Sequence, residues 1–140
     1  MKQITHRSNC PLSYTLDFFG DKWSLLILRD MALYNKRTYG EFQSSDEKIA
    51  TNILADRLTM LETNGFITKK VASVKKSKFV YSLTEKGISL VPLLLEIGIW
   101  GSQHHSPGLD SVILKNLNKD KVGTLAKIQA QIRKNMKEDS

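Results

Sequence analysis

The chain has 140 residues, of which 41% are hydrophobic and 25% are charged, so it can bury a core without a metal or a disulfide. Its 21 Lys and Arg residues against 14 Asp and Glu residues give a formal net charge of +7, which favours a polyanionic partner such as nucleic acid or an anionic membrane surface. The longest apolar run, residues 88–100, contains Pro92 and Glu96 and is too short to cross a bilayer. No secretory signal pattern is visible at the start, and the single cysteine cannot form an internal disulfide. We therefore expect a cytoplasmic protein.

The first part of the chain predicts a flexible arm followed by two helices. Residues 1–9 are polar and lack periodicity. Pro11 suits the first turn of a helix, because the missing N–H has no partner there anyway, and Gly20 ends that helix. A second helix is predicted from Trp23 to Asn35, where apolar residues recur at helical spacing.

A short helix and a longer helix follow, separated by a turn. Thr38 and Glu41 have the spacing of a capping box, residues 44–48 are turn-like, and the longer helix runs from Ile49 to a left-handed cap at Gly65. Its buried stripe is predicted to hold Ile49, Ile53 or Leu54, Leu58 and Leu61. The opposite face carries only small or polar residues: Thr51, Asn52, Ala55, Asp56 and Thr59.

After Gly65 the period of the hydrophobic pattern changes from helical to two. Residues 66–71 and 78–83 are rich in β-branched and aromatic residues, with residues 73–77 between them, which predicts a β-hairpin. Thr84 then begins a helix through Trp100, residues 101–108 break it, and two further helices cover residues 109–117 and about 121–136.

This order of elements predicts an α+β, mostly α, winged helix-turn-helix fold with a two-stranded wing. A helix with little bulk on its outer face, entered by a tight turn from a short helix, is what the major groove of DNA admits. We expect residues 10–101 to form the DNA-binding domain and residues 102–140 to form a C-terminal helical extension. The candidates for reading bases are Thr51, Asn52, Ala55 and Asp56, because amide, hydroxyl, methyl and carboxylate groups match base edges in the major groove.

The hairpin has the charge expected of a phosphate-binding wing. Six lysines and one acid, Glu85, lie between Phe66 and Lys86, and lysines at a hairpin tip make contacts to phosphate that carry no sequence information. The candidate phosphate ligands are Arg57, Lys69, Lys75, Lys76 and Lys78. Two alternatives stay open: the lysines protect a solvated strand edge, and Arg57 pairs with an acid inside the domain.

Several separated motifs resemble those of HxlR-type bacterial transcriptional regulators, in the same order and over about residues 10–101. These motifs are Cys10-Pro11, Asp21-Lys22-Trp23, Leu25-Leu26-Ile27-Leu28-Arg29, Arg37-Thr38-Tyr39-Gly40-Glu41-Phe42, Leu54 with Arg57-Leu58 and Leu61-Glu62, Gly65-Phe66-Ile67, and Tyr81-Ser82-Leu83-Thr84-Glu85-Lys86-Gly87. The resemblance implies a homodimeric DNA-binding protein of the MarR/ArsR-like structural group, without enzymatic activity. Ala50 stands where the family often has Ser or Thr, so we expect the cap of the longer helix to be rebuilt, with Thr51 as the candidate.

Two apolar stripes exceed what one small core needs, and they predict the dimer interface. One stripe lies on the first helix and the other on the last helix; they comprise Leu12, Leu16 and Phe19, and Val122, Leu125, Ile128 and Ile132. The first helix and the two C-terminal helices are therefore expected to join two copies around a palindromic operator.

Cys10 has two interpretations. It stands at the start of a helix, where the helix dipole favours a thiolate, and some HxlR-type proteins sense oxidants or electrophiles through a matching cysteine. The alternative is an inert thiol.

No metal or cofactor site and no enzyme signature is expected, since His6, His104 and His105 lack partners at ligand spacing. Asp17, Asp21 and Asp30 are expected to form ordinary surface ion pairs. Two rival functions remain: a winged helix that contacts RNA or protein, and a regulator whose small-molecule effector, unidentified by the sequence, binds between the core and the C-terminal helices.

Overall fold

The computed structural model describes residues 3–72 and 78–138. These residues form two compact units, one ending at Thr84 and the other beginning at Glu85. The predicted division into an arm, a DNA-binding domain and an extension stays a prediction.

The described residues of the first unit form four helices followed by a two-stranded antiparallel sheet. Their bounds are α1 Pro11–Phe19, α2 Ser24–Tyr34, α3 Tyr39–Gln43, α4 Thr51–Thr63, β1 Ile67–Val71 and β2 Phe79–Leu83. Pro11 occupies the first turn of α1 and Thr38 forms the predicted capping box with Glu41. The winged helix-turn-helix fold predicted from the sequence is therefore confirmed.

The side chain of Asp21 stabilises the start of α2 through hydrogen bonds. The Asp21 carboxylate accepts hydrogen bonds at 2.9 Å from the backbone N–H groups of Trp23 and Ser24, and at 2.7 Å from the Ser24 hydroxyl. Burial raises the pKa of this carboxyl, but the hydrogen bonds from Ser24 and Trp23 outweigh burial and bring the pKa below its usual range. Asp21 is thus a helix cap as well as a member of an ion pair.

The core of the first unit joins the helices to the start of the hairpin. The ring centroids of Phe18 and Phe19 lie 5.5 Å and 5.1 Å from that of Phe66. Leu54 and Leu61 of α4 are fully buried, so the apolar stripe of α4 faces this core and its other face is left to solvent.

The hairpin pairs Ile67 with Leu83 and Lys69 with Tyr81. Because side chains alternate along a strand, these four side chains lie on one face of the sheet. Ile67, Tyr81 and Leu83 are buried on that face, while Lys69, farther from the base of the hairpin, is exposed.

The second unit contains α5 Glu85–Ile88, α6 Val91–Ser102, α7 Ser111–Lys119 and α8 Lys121–Glu138. The sequence predicted a single helix through Trp100. This prediction was wrong, because the helix is interrupted between α5 and α6. Pro92 lies in the first turn of α6 and has no N–H to donate to the carbonyl of Ile88. That carbonyl instead accepts a hydrogen bond from Gln129 Nε2 of α8 at 3.2 Å.

Side-chain contacts fix the last two helices within the second unit. The Asp110 carboxylate caps α7 by accepting from the N–H groups of Val112 and Ile113, and Arg133 of α8 donates to Glu85 of α5 at 3.0 Å.

Within residues 3–72 and 78–138, no helix is both long enough and apolar enough to span a membrane.

Candidate nucleic-acid interface

The outer face of α4 is exposed and free of large side chains. Thr51, Asn52 and Ala55 are exposed, and Asp56 is half-buried. The opposite face is buried through Leu54, Leu58 and Leu61. Three of the four candidate base-reading residues are therefore exposed, on a helix face narrow enough to enter the major groove.

Contacts from α3 fix the start of α4. The helix begins after Ala50, whose methyl side chain cannot cap it. The Tyr39 hydroxyl donates to the Thr51 carbonyl at 2.5 Å, and Gln43 Nε2 donates to the Thr51 hydroxyl oxygen at 3.2 Å. The expectation that Thr51 caps α4 was wrong, because Thr51 is the first residue of the helix and no side chain caps it. Both contacts come from α3, so no local pattern around Thr51 indicates them.

The end of α4 turns sharply into the wing. Gly65 adopts a left-handed conformation with φ of 82°. The Phe66 N–H donates to the Leu61 carbonyl at 2.9 Å, and the Gly65 N–H donates to the Glu62 carbonyl at 3.1 Å. This is the Schellman arrangement, and it confirms the left-handed cap predicted at this position.

Acidic and basic side chains hold the turn between α3 and α4. Asp30 of α2 is buried, with 3% of its surface exposed, and its carboxylate accepts a hydrogen bond from the Ser45 hydroxyl in the turn. Arg29 Nη2 lies 2.8 Å from Asp30 Oδ1 and 2.9 Å from Glu47 Oε1. The hydrogen bonds from Arg29 lower the pKa of Glu47 to about 2. The expectation that Asp30 makes an ordinary surface pair was wrong, because Asp30 joins α2 to a turn that lies 15 residues away along the chain.

A buried arginine fixes the wing. Arg37 is 4% exposed, and its guanidinium donates to the Tyr81 carbonyl and to the Ser82 hydroxyl. The Tyr81 N–H in turn donates to the Arg37 carbonyl at 2.8 Å. Sequence reasoning missed this role, because the partners of Arg37 lie 44 and 45 residues away along the chain.

Arg57 pairs with acids within the first unit. Its Nε lies 3.1 Å from Asp56 Oδ2, and its Nη1 lies 3.4 Å from Asp21 Oδ1. This is the arrangement that the sequence left open as the alternative to a phosphate contact. The DNA roles of Asp56 and Arg57 stay predictions, and each requires that the side chain exchange its present partner.

The candidate wing lysines are partly within the described chain. Lys69 and Lys78 are exposed, and Lys69 Nζ lies 4.0 Å from the centre of the Phe79 ring. Lys75 and Lys76 lie outside the described residues. Phosphate binding by all four stays a prediction.

Cys10 is exposed and immediately precedes α1. Its N–H donates to the Ser8 hydroxyl oxygen at 3.2 Å, and its carbonyl accepts from the Tyr14 N–H at 2.9 Å. The arm before it contacts α1, since Arg7 donates to Asp17 at 2.8 Å. Arg7 is therefore occupied by a carboxylate.

No group of three or more His, Cys, Asp or Glu side chains that could hold a metal ion occurs in the part of the chain that the structure describes. The surface built by α4 and the wing instead combines small polar side chains with lysines. This combination is suited to a nucleic acid duplex.

Comparison with known proteins identifies the family. The HxlR-like helix-turn-helix family matches residues 18–108. The uncharacterized HTH-type transcriptional regulator YdzF of Bacillus subtilis (strain 168) is 32% identical over 107 residues, which cover 76% of this chain and 98% of YdzF.

Two solved structures have the same fold. PA1607 is 40% identical, with a TM-score of 0.64 over 75% of this chain and 72% of PA1607. The redox regulator HypR in its oxidized form is 30% identical, with a TM-score of 0.61 over 69% of this chain and 99% of HypR. The resemblance seen in the sequence motifs is confirmed, and the chain belongs to the HxlR-like helix-turn-helix family of transcriptional regulators.

Proposed function

We propose that this protein binds operator DNA as a homodimer and regulates transcription without catalysing a reaction. The observation that carries the proposal is the exposed face of α4, where Thr51, Asn52 and Ala55 offer small polar and methyl groups. A face of this kind can approach base edges closely, whereas large side chains would hold the helix away from the groove.

The three exposed candidate residues of this face each have a defined chemical use. The Asn52 amide can pair with the N6 and N7 positions of adenine, and the Ala55 methyl can contact a thymine methyl. The Thr51 hydroxyl oxygen already accepts from Gln43, so its orientation is fixed before DNA arrives. Preorganisation of this kind reduces the entropy that is lost on binding.

We assign the wing to the phosphate backbone. Lys69 and Lys78 are exposed on β1 and just before β2, and Lys75 and Lys76 belong to the same proposed set. Contacts of this type add affinity that falls with salt and does not depend on base sequence.

The dimer is proposed to use apolar side chains that each unit leaves exposed. Leu12 and Leu16 of α1 are 67% and 46% exposed, and Val122 of α8 is 81% exposed. Phe19 and Ile132 were predicted on these stripes, but they are 6% and 2% exposed. They therefore belong to the core and not to this surface. A Leu12→Glu, Leu16→Glu double variant and a Val122→Glu variant should each be compared by light scattering with the parent protein, and a surface whose substitution leaves the dimer intact is not the interface.

The test of DNA binding starts from selection of bound sequences out of a random duplex pool. The selected duplex should then be compared with a random duplex and with a structured RNA at the same salt concentration. The proposal expects a palindromic selected site that is bound about 10³-fold or more tightly than random duplex. Equal affinity for RNA and for all duplexes would favour the rival function, a winged helix that contacts RNA or protein.

The inducing signal is proposed to be oxidation or electrophilic modification of Cys10. Two observations support this: the thiol is exposed at the start of α1, and the relative HypR is a redox regulator. Diamide should be titrated against operator binding for the parent protein and for Cys10→Ser. Loss of DNA binding in the parent alone supports a sensor, and identical behaviour of the two proteins makes Cys10 an inert thiol.

A further inference from the structure

A cleft of about 460 Å³ opens between α3, α4 and the wing. Its volume falls within the roughly 300–1,000 Å³ of small-molecule sites. All of its described lining residues belong to the first unit: Thr38, Tyr39, Gly40, Ala55, Leu58, Thr59, Glu62, Lys69, Lys78, Phe79 and Tyr81.

The floor of the cleft is apolar and aromatic. Leu58 and Tyr81 are 3% and 6% exposed, and Phe79 and Tyr39 add two further rings to the lining. Burial, together with the nearby charge of Glu62, raises the pKa of Tyr81. Its hydroxyl therefore stays neutral at physiological pH and adds no negative charge to the floor.

Two cations stand at the wing side of the cleft. Lys69 Nζ lies 4.0 Å from the centre of the Phe79 ring, so a planar group packed against that ring would bring a substituent close to the ammonium. Lys78 precedes Phe79 in the chain and also lines the cleft. Glu62 is the single acid among the described residues that line the cleft. An apolar floor with a net positive edge is complementary to a flat apolar anion.

We propose that this cleft binds a small planar aromatic carboxylate, with its ring system over Leu58 and Phe79 and its carboxylate at Lys69 and Lys78. Ala55 and Thr59 belong both to the cleft and to the outer face of α4. A bound ligand therefore occupies space that DNA needs, and it weakens operator binding. This last consequence rests on the proposed function, but ligand binding itself does not.

A sugar–phosphate strand fits the cleft less well than such a ligand does. Each nucleotide carries a charge, and a phosphate placed over the apolar side chain of Leu58 would lose its hydration without gaining a partner. The cations are confined to one edge of the cleft, as a molecule with one charged end requires.

The test is calorimetric titration of the full chain with 2-naphthoate in the absence of DNA. A Lys69→Gln, Lys78→Gln double variant should bind about tenfold more weakly or worse, since each lost charge-assisted contact is worth up to about that factor. Lys70→Gln is the matched control, because Lys70 alternates with Lys69 along β1 and points to the opposite face of the sheet. Its affinity should stay within about twofold of the parent's.

A second variant blocks the cleft without removing charge. A Cβ placed on Gly40 meets nothing within 4 Å, so Gly40→Leu should fold and fill part of the cleft. Titration of the parent protein with 2-naphthoate should shift the NMR resonance of the Ala55 methyl group. In Gly40→Leu the ligand should no longer bind, so this resonance should not shift. 2-Naphthalenemethanol has the same rings without the charge, and it should bind at least about tenfold more weakly than 2-naphthoate.

The outcomes separate this proposal from the proposed function. The cleft proposal is overturned if 2-naphthoate at millimolar concentration does not bind, if the double variant and Gly40→Leu bind it as the parent does, or if the alcohol binds equally well. Binding in the cleft by a protein that shows no affinity for any duplex would support the ligand site and overturn operator binding. Binding in the cleft without displacement of a selected operator would overturn the regulatory consequence.

Discussion

Removal of the Asp30 carboxylate should destabilise the first unit by loosening the turn between α3 and α4. Asp30→Ala deletes the acceptor of the Ser45 hydroxyl and one of the two carboxylates that pair with Arg29. Both Asp30 and Ser45 are buried, so water cannot replace the lost hydrogen bond without a change in the structure.

The expected magnitude follows from what remains after the substitution. Breaking a fully buried ion pair costs about 3–5 kcal/mol, but the Arg29 side chain is 22% exposed and keeps its bonds to Glu47. Lys36 also continues to donate to the Ser45 oxygen. We therefore expect a loss of about 2–3 kcal/mol in the free energy of unfolding, even after the small gain from alanine inside a helix.

Urea denaturation should measure this loss through the fluorescence of Trp23, in a Trp100→Phe background that leaves one of the two tryptophans of the chain. Asp46→Ala is the matched control, since Asp46 lies in the same turn and is exposed. Its effect should stay within about 0.5 kcal/mol. A loss below about 1 kcal/mol for Asp30→Ala, or equal losses for the two variants, would refute the role assigned to Asp30.

Three further predictions concern the first unit. Gly65→Ala should lower the free energy of unfolding by about 1–2 kcal/mol because Gly65 has φ of 82°, whereas Gly101→Ala in α6, where an added Cβ meets nothing, should be neutral or slightly stabilising in thermal melts. Glu47 has a pKa of about 2 in the folded state, below its unfolded value of about 4.3. Its stabilising effect is therefore fully present above about pH 4.3 and is lost as the pH falls toward 2. Glu47→Gln should abolish this part of the acid dependence in urea titrations between pH 5 and 2, and an unchanged pH profile would contradict the pairing. The Lys69→Gln, Lys78→Gln variant should reduce the slope of log affinity against log salt by about 0.9 for each lost phosphate contact, and an unchanged slope on random duplex would leave these lysines as protection of a strand edge.

The features predicted correctly from the sequence are those that depend on neighbours in the chain. The helical period up to Asn64, the left-handed cap at Gly65 and the change to a period of two each predict structure from a few adjacent residues. The split between α5 and α6 also had a local signal, because Pro92 favours the first turn of a helix, but the continuous apolar pattern across it suggested a single helix.

The remaining features depend on residues that are distant in the sequence. Asp30 next to Arg29 has the pattern of a surface pair, and its burial follows from Ser45, which reaches it from the turn after α3. In the same way, the anchoring of Thr51 depends on Tyr39 and Gln43 of the preceding helix. Such contacts arise only when the helices pack, so no periodicity in the chain indicates them.

We propose that the outer face of α4 reads bases, and the Asn52→Ala variant tests this role. The affinities of this variant for the selected operator and for a random duplex should be measured at one salt concentration, with Asn118→Ala, an exposed amide on α7, as the matched control. We expect Asn52→Ala to lose about 1–3 kcal/mol of binding free energy on the operator and much less on random duplex, and we expect no change for Asn118→Ala. An equal loss on both duplexes, or no loss on either, would contradict base reading by this helix.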